Sequence, residues 1–294
     1  PGVSSKSLPW QAAGDLSLAT PSVPRATAWL GSTLDADSPL GAFQLDGTIN
    51  MVGLAVDLTD ASLSLDGNEA EGVLTLDWDG YAQTEGGDAT RPFLQGTLDL
   101  EQLDLSPYLD TLRPTTTVQA PGDWRFYPLP DALSGPLDVD LRFATRSLIA
   151  SPVQFGETAG SLLVSQDELV LGIGEAIAFD GAIRGSLSLK RPAELARDEP
   201  PGLQTILDLS VDAVDLDALL SPLTDTAPLS GSLTGIALVS GEGATLLQLL
   251  QTLNGDVTAN LAEGTVHGID LDTLAQAIVD GAFTETEGLP AGEI

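Results

Sequence analysis

The sequence predicts a mostly β chain with a few short helices, a β-rich α+β class in which a curled antiparallel sheet forms a groove built from repeated strand–helix units. Three observations predict it. Apolar and polar residues alternate over many short stretches, the two-residue period of a half-buried strand. A second device, apolar-x-Gly-x-apolar, recurs at Leu45-Gly47-Ile49, Leu94-Gly96-Leu98, Leu133-Gly135-Leu137, Phe179-Gly181-Ile183, Leu229-Gly231-Leu233 and Leu253-Gly255-Val257. Its three marked residues share a strand face, so the glycine leaves a gap there and lets the strand kink or bulge; a sheet with many such gaps curls. The third device ends a strand in apolar-Asp-Leu and starts a helix at Leu103-Asp104-Leu105-Ser106, Val214-Asp215-Leu216-Asp217 and Ile269-Asp270-Leu271-Asp272. Its expected caps at 106, 217 and 272 stand 111 and 55 residues apart, which suggests a unit of about 55 residues.

Taken in order, the chain offers a weak strand around Asp15–Ala19 and a short helix from Ser22, its cap, to Leu30, stopped by Gly31. From Phe43 the period is two: Leu45, Gly47 and Ile49, then Leu54, Val56 and Leu58, then Leu63 and Leu65, then Val73–Trp78. A polar, glycine-rich loop from Asp79 to Arg91 precedes a strand over Leu94–Leu100. Ser106 and Pro107 start a helix, with proline at a position whose missing N–H costs nothing. Thr115–Pro130 is irregular and holds Pro121, Pro128 and Pro130. Beyond it Leu137, Val139, Leu141 and Phe143 alternate with Asp138, Asp140 and Arg142, and further strands fall on Ser161–Ser165, Glu168–Gly172, Ala176–Phe179, Ala182–Leu189 and Ile206–Val214. Lys190–Gly202 reads as a charged linker. A strand over Leu229–Val239, a helix with Leu246, Leu249, Leu250 and Leu253 at helical spacing, a strand over Asp256–Leu261 and a helix capped by Asp272 complete the pattern. The organisation expected is 1–114 as an N-terminal β-rich part of the groove, 115–130 as a Pro-rich connection and 131–294 as a C-terminal part.

Composition excludes several functions. The 294 residues carry 43 acidic and 11 basic side chains, a net charge of -32, so phosphate-rich nucleic acid is not an expected partner and an anionic membrane surface is disfavoured. Hydrophobic residues make up 43% but aromatics only 5%, so the buried faces are aliphatic. Cysteine is absent, which removes disulfides and thiolate metal sites. No apolar run reaches the length of a spanning helix, and no signal segment follows Pro1.

Catalytic constellations are missing as well. There is no Gly-x-Ser-x-Gly elbow, and the single histidine, His267, stands before Gly268 in a turn where a structural role is expected rather than a catalytic one; one histidine leaves no multi-histidine metal site. Gly172-Ile173-Gly174 and Gly241-Glu242-Gly243 lack the third glycine of a dinucleotide motif. Acid pairs such as Asp77-x-Asp79, Asp138-x-Asp140 and Asp215-x-Asp217 are too numerous for any one to be informative, and no EF-hand loop is present. The expectation is a protein that is not an enzyme, with no catalytic residues, no metal site and no cofactor.

The run from Leu229 to Ile278 resembles the AsmA family of bacterial envelope proteins. The residues that carry the likeness are Gly241-Glu242-Gly243, the helix ending in Leu253-Asn254-Gly255, and Glu263-Gly264 through Gly268-Ile269-Asp270-Leu271. A second match comprises Leu63-Ser64-Leu65-Asp66-Gly67, Glu71-Gly72-Val73-Leu74, Arg91-Pro92-Phe93-Leu94 and Leu103-Asp104-Leu105-Ser106-Pro107-Tyr108-Leu109. The resemblance is weakest over 115–205. It implies a periplasmic protein held in the inner membrane by an N-terminal helix that this chain lacks, and a chain that continues past its present end. It also implies a role in outer-membrane biogenesis with phospholipid as partner, carried along a β-groove lined by aliphatic side chains.

Alternation nominates Leu98, Leu100, Leu137, Val139, Leu141, Phe143, Leu207, Leu209 and Val211 as the residues lining that groove. A competing expectation is a non-catalytic envelope scaffold with a closed core. Alternation alone does not separate the two, because a strand face that meets lipid has the same pattern as one that meets a helix or a second sheet.

Overall fold

A computed structural model describes residues 10–29, 40–78, 91–111, 129, 137–191, 202–222 and 229–266. They form one large, open, curled sheet. Its N-terminal half holds β1 (Gln11–Thr20), β2 (Phe43–Val52), β3 (Ala55–Leu65), β4 (Asn68–Asp77) and β5 (Phe93–Asp104). The next strands are β6 (Asp138–Ala150), β7 (Val153–Phe155), β8 (Thr158–Val164), β9 (Glu168–Ala178) and β10 (Gly181–Lys190). β11 (Leu203–Asp215), β12 (Leu229–Gly243) and β13 (Asn254–Val266) finish it. Strand order follows chain order, except that the short β7 folds back on β6 and leaves β8 as the next neighbour.

Pairing is antiparallel at every step but one. β5 and β6 run parallel, so the sheet is mixed rather than wholly antiparallel. The physical reason is the connection: 105–137 carries the chain from the end of β5 back to the level where β5 began, which a parallel neighbour requires. The Pro-rich connection predicted over 115–130 lies outside the described residues apart from Leu129, and the strands on either side of it are bonded to each other.

Two hairpin turns show why the strands reverse where they do. Asp66 (φ 54°) and Gly67 (φ 88°) link β3 to β4, and Phe179 (φ 53°) and Asp180 (φ 60°) link β9 to β10. Two successive left-handed residues match the twist of the flanking strands. Each hairpin is followed by a strand ending in the Asp-Leu device. Asp104 closes β5 before α2 (Ser106–Thr111), and Asp215 closes β11 before α3 (Leu216–Leu220). The helix cap is the aspartate itself, not residue 217 as the sequence suggests: Asp215 accepts from the backbone N–H groups of Asp217 and Ala218. In the first copy the Asp104 carboxylate accepts from Ser106 N–H at 2.8 Å. A carboxylate two residues back reaches those orphan donors, whereas residue 217 is already inside the helix. The expected third cap, Asp272, lies outside the described residues.

α1 (Val23–Trp29), α2 and α3 all lie at one end of the sheet, the end that holds the Asp66-Gly67 and Phe179-Asp180 turns. At the opposite end α4 (Leu246–Thr252) folds back over β12. The Gly241-Glu242-Gly243 motif is its seat. A Cβ on Gly241 would stand 2.9 Å from Leu249 Cδ1, and one on Gly243 2.8 Å from Gln248 Cβ. The helix is pinned there by Thr252, whose hydroxyl accepts from Glu242 N–H at 2.8 Å, and by Gln248, whose carbonyl accepts from Ala244 N–H at 2.8 Å.

The segment predicted as a separate strand over Ala176–Phe179 is the end of β9, which continues through a bulge opposite Ile183/Gly185. The three-residue β7 has no expectation at all in the sequence, being too short to show a period.

Candidate functional site

Because paired residues in a ladder share a face, the register traces rows of side chains across the whole sheet. One row reads Leu74, Gly96, Leu141, Leu162, Leu171, Leu187, Leu207, Val239 and Gly255, running from β4 to β13. The next reads Gly72, Leu98, Phe143, Gly160, Ile173, Gly185, Leu209, Ala237 and Val257. A third joins Leu94, Val139, Val164, Leu169, Leu189 and Thr205. A fourth joins Leu100, Thr145, Thr158, Ala176, Ile183 and Val211. Together they make one continuous apolar face.

Eight of the nine nominated residues stand in these rows. Leu98, Phe143 and Leu209 share one, Leu141 and Leu207 another; Val139 stands in the third, and Leu100 and Val211 in the fourth. Leu137 stands one residue before β6 and is half-buried. The nominated set falls into two groups, on β5–β6 and on β11. Four strand steps separate β6 from β11, about 19 Å at ~4.8 Å per step. The residues that bridge the gap, Leu162, Leu171 and Leu187 among them, lie in stretches the sequence marks as strands and carry the same alternation. Val214 is a different omission. It is fully buried on this face, but the bulge between Val211 and Val214 advances the chain by an odd number of residues, so simple alternation assigns it to the other side.

The dry face is packed differently along its length. In the N-terminal half Leu58, Ala61 and Leu74 are buried, with Leu16, Leu45, Ile49 and Leu141 packed against them. Glycine gaps on β5 and β8 are filled by neighbours: a Cβ on Gly96 would stand 2.7 Å from Leu74 Cδ2, and one on Gly160 2.5 Å from Phe143 Cζ. Over β8–β11 the two central rows, from Leu162 to Leu207 and from Gly160 to Leu209, are half-buried, while Thr158, Ala176 and Thr205 in the outer rows are buried; among the described residues no second sheet or helix lies across the central rows other than α3 and α4 at the ends. At Gly185 the atoms nearest a Cβ are backbone atoms of Asp208 and Leu209, so the row dips beside Leu209.

Polar groups on this face are mostly neutralised. Thr145 donates to Ser147 O at 2.9 Å and Thr158 to Gly156 O at 3.1 Å, which turns their methyl groups outward from the hydrogen bond. Thr205 is the exception: its hydroxyl is buried beside Leu189 with no hydrogen-bond partner among the described residues.

The other face is solvent-exposed and mixed, with Val73, Leu163, Ile177, Ile206, Ile236 and Leu238 exposed among its charged residues. Asp99, Asp140, Glu175, Asp208 and Arg142 project there, with ion pairs Arg146–Glu101 and Arg184–Glu175. Clefts of about 290 and 480 Å³ open on it, lined by Asp99, Glu157, Glu175 and Arg146 in one case and by Asp46, Glu69, Glu71 and Glu101 in the other. Among the described residues no group of three or more His, Asp or Glu is placed to hold a metal ion, and no helix is long and apolar enough to cross a membrane. His267 lies outside the described residues.

The AsmA family model matches residues 193–293, the part of the chain that contains β11, β12, α4 and β13. No curated protein and no solved structure matches the chain.

Proposed function

We propose, from the premise that residues 193–293 carry the AsmA family pattern and with it an envelope-related function, that this chain handles lipid. It acts as a non-catalytic carrier that holds phospholipid acyl chains along the dry face of β8–β11 and serves transport between inner and outer membranes in outer-membrane biogenesis. The family likeness supports a periplasmic setting for that work, at the inner membrane. The observation that carries the reading is the half-covered aliphatic face running unbroken from β6 to β12.

The physics supports it. An acyl chain spans half of a ~30 Å hydrocarbon core, about 15 Å, whereas the 13 residues of β11 span roughly 43 Å. Each methylene kept from water is worth about 0.8 kcal/mol, so a tail leaving a bilayer must find equivalent cover at every step. A face of Leu, Ile and Val several strands wide offers that cover along its two central rows, with threonines only in the outer ones. The buried Leu58–Ala61–Leu74 cluster favours a packed, scaffold-like role for the N-terminal half alone. The test is extraction of the purified chain followed by lipid mass spectrometry. Near-stoichiometric phospholipid is the expected result; a protein that is folded and lipid-free after contact with phospholipid vesicles contradicts the reading.

A further inference from the structure

At the end of the sheet opposite α1–α3, the dry face of the N-terminal half runs out into three exposed apolar side chains. Trp10 precedes β1 and is 57% exposed, Leu54 sits in the β2–β3 turn at 48%, and Trp78 follows β4 at 55%. The three are adjacent. Trp10 O accepts from Gly53 N–H at 3.0 Å, and Leu54 O accepts from Trp78 N–H at 3.1 Å. Strand alternation carries the apolar face into them: Ala12 and Met51 pair on that face, as do Val56 and Leu76, and Trp10, Leu54 and Trp78 lie two residues further along. The buried Leu58–Leu74 cluster lies just inside.

We infer that Trp10, Leu54 and Trp78 form a docking rim that seats this end of the sheet at the headgroup level of a zwitterionic bilayer. Tryptophan is suited to that depth, because its ring is apolar while its indole N–H bonds to water or ester groups. The net charge of -32 selects the surface: the chain repels an anionic bilayer, so apolar insertion into a zwitterionic one is the mode left open. The row next to the rim runs from Leu76 through Leu94 and Val139 to Val164 on β8, which joins the rim sideways to the face proposed to hold acyl chains. The inference rests on the lipid-handling reading for its purpose, though not for its test.

The chain contains four tryptophans, so replacing Trp29 and Trp124 by Phe leaves Trp10 and Trp78 as the only indoles. With phosphatidylcholine vesicles, their emission shifts to the blue and is quenched by lipids brominated near the glycerol. A second protein, Trp10→Gln, Leu54→Gln and Trp78→Gln together, floats with the vesicles at least about tenfold less well than the unaltered chain. Trp29→Gln, at the far end in α1 where Trp29 is 86% exposed, leaves flotation unchanged. Replacing part of the phosphatidylcholine by an anionic lipid lowers flotation. Unchanged emission from the two-tryptophan protein overturns the inference even if the triple variant fails to fold. So does a concentration-dependent shift without vesicles, which assigns the rim to a second copy. Capture of a short-chain phosphatidylcholine below its micelle concentration reports separately on the carrier reading: capture without docking removes the rim alone, and docking without capture removes the carrier alone.

Discussion

Tyr108 fastens α2 to the rest of the sheet. Its hydroxyl donates to Asp66 Oδ2 at 3.0 Å, and Asp66 Oδ1 accepts from Gly41 N–H at 2.8 Å, so one turn carboxylate gathers two distant segments. Beside it Asn68 clasps Asp104, accepting from its N–H at 2.7 Å and donating to its carbonyl at 3.2 Å. Burial, and then the Asp66 hydrogen bond, push the Tyr108 hydroxyl up to about 12, because ionisation would place a phenolate against a carboxylate. The folded pKa exceeds the ordinary value near 10, so the contribution to stability is complete below pH 10 and is lost as pH rises from 10 to about 12. Urea denaturation across that range is expected to show falling stability in the native chain and a flatter profile in Tyr108→Phe. Equal slopes in the two proteins would remove this account of the contact. None of this is visible in the sequence, where Asp66-Gly67 marks a turn and Tyr108 only a helix residue; the three partners meet through long-range pairing of β3, β4 and β5.

At the scale of strands and helices, alternation located the sheet well because one face is apolar throughout. It did not give direction, since a two-residue period is the same in parallel and antiparallel ladders, and the β5–β6 pairing depends on a long connection. It also loses phase at bulges. Asp60 and Ala213, both with left-handed φ, sit in the register shifts of β3 and β11, and beyond them Ala61 and Val214 return to the dry face out of step. The glycine device predicted curvature, and two of its glycines stand in register shifts, Gly47 in β2 and Gly231 in β12; what was not legible is that the gaps at Gly96 and Gly160 are filled by Leu74 and Phe143. That difference separates two positions within the nominated groove. Leu141 packs on the buried Leu58–Ala61–Leu74 cluster, so Leu141→Asp is expected to cost several kcal/mol by burying an unpaired charge. Leu209 is half-buried between Gly185 and Ala237 and does not pack on that cluster, so Leu209→Asp is expected to leave the fold cooperative while lowering lipid capture about tenfold or more. Circular dichroism with lipid quantification checks both, and loss of folding in Leu209→Asp would assign it to a closed core.

On the scale of the whole molecule, a single sheet does two opposite things. Its wet face carries acids such as Asp99, Asp140, Glu175 and Asp208, and its dry face carries aliphatic rows that few helices cover among the described residues. The composition made the first legible. The second needed the register, because only pairing shows that residues from β6 and β11, far apart in the chain, stand on one face with β8, β9 and β10 between them. The central claim is therefore about a surface rather than a residue. Its most direct test is photo-crosslinking with a phospholipid that carries a diazirine in the acyl chain, followed by peptide mapping of the labelled sites. Labels are predicted on dry-face positions of β8–β11 such as Leu171, Leu187 and Leu209, and not on their wet-face neighbours Arg184 and Asp208. Labelling spread evenly over both faces, or absent from β8–β11 in a protein shown to be folded, would contradict it.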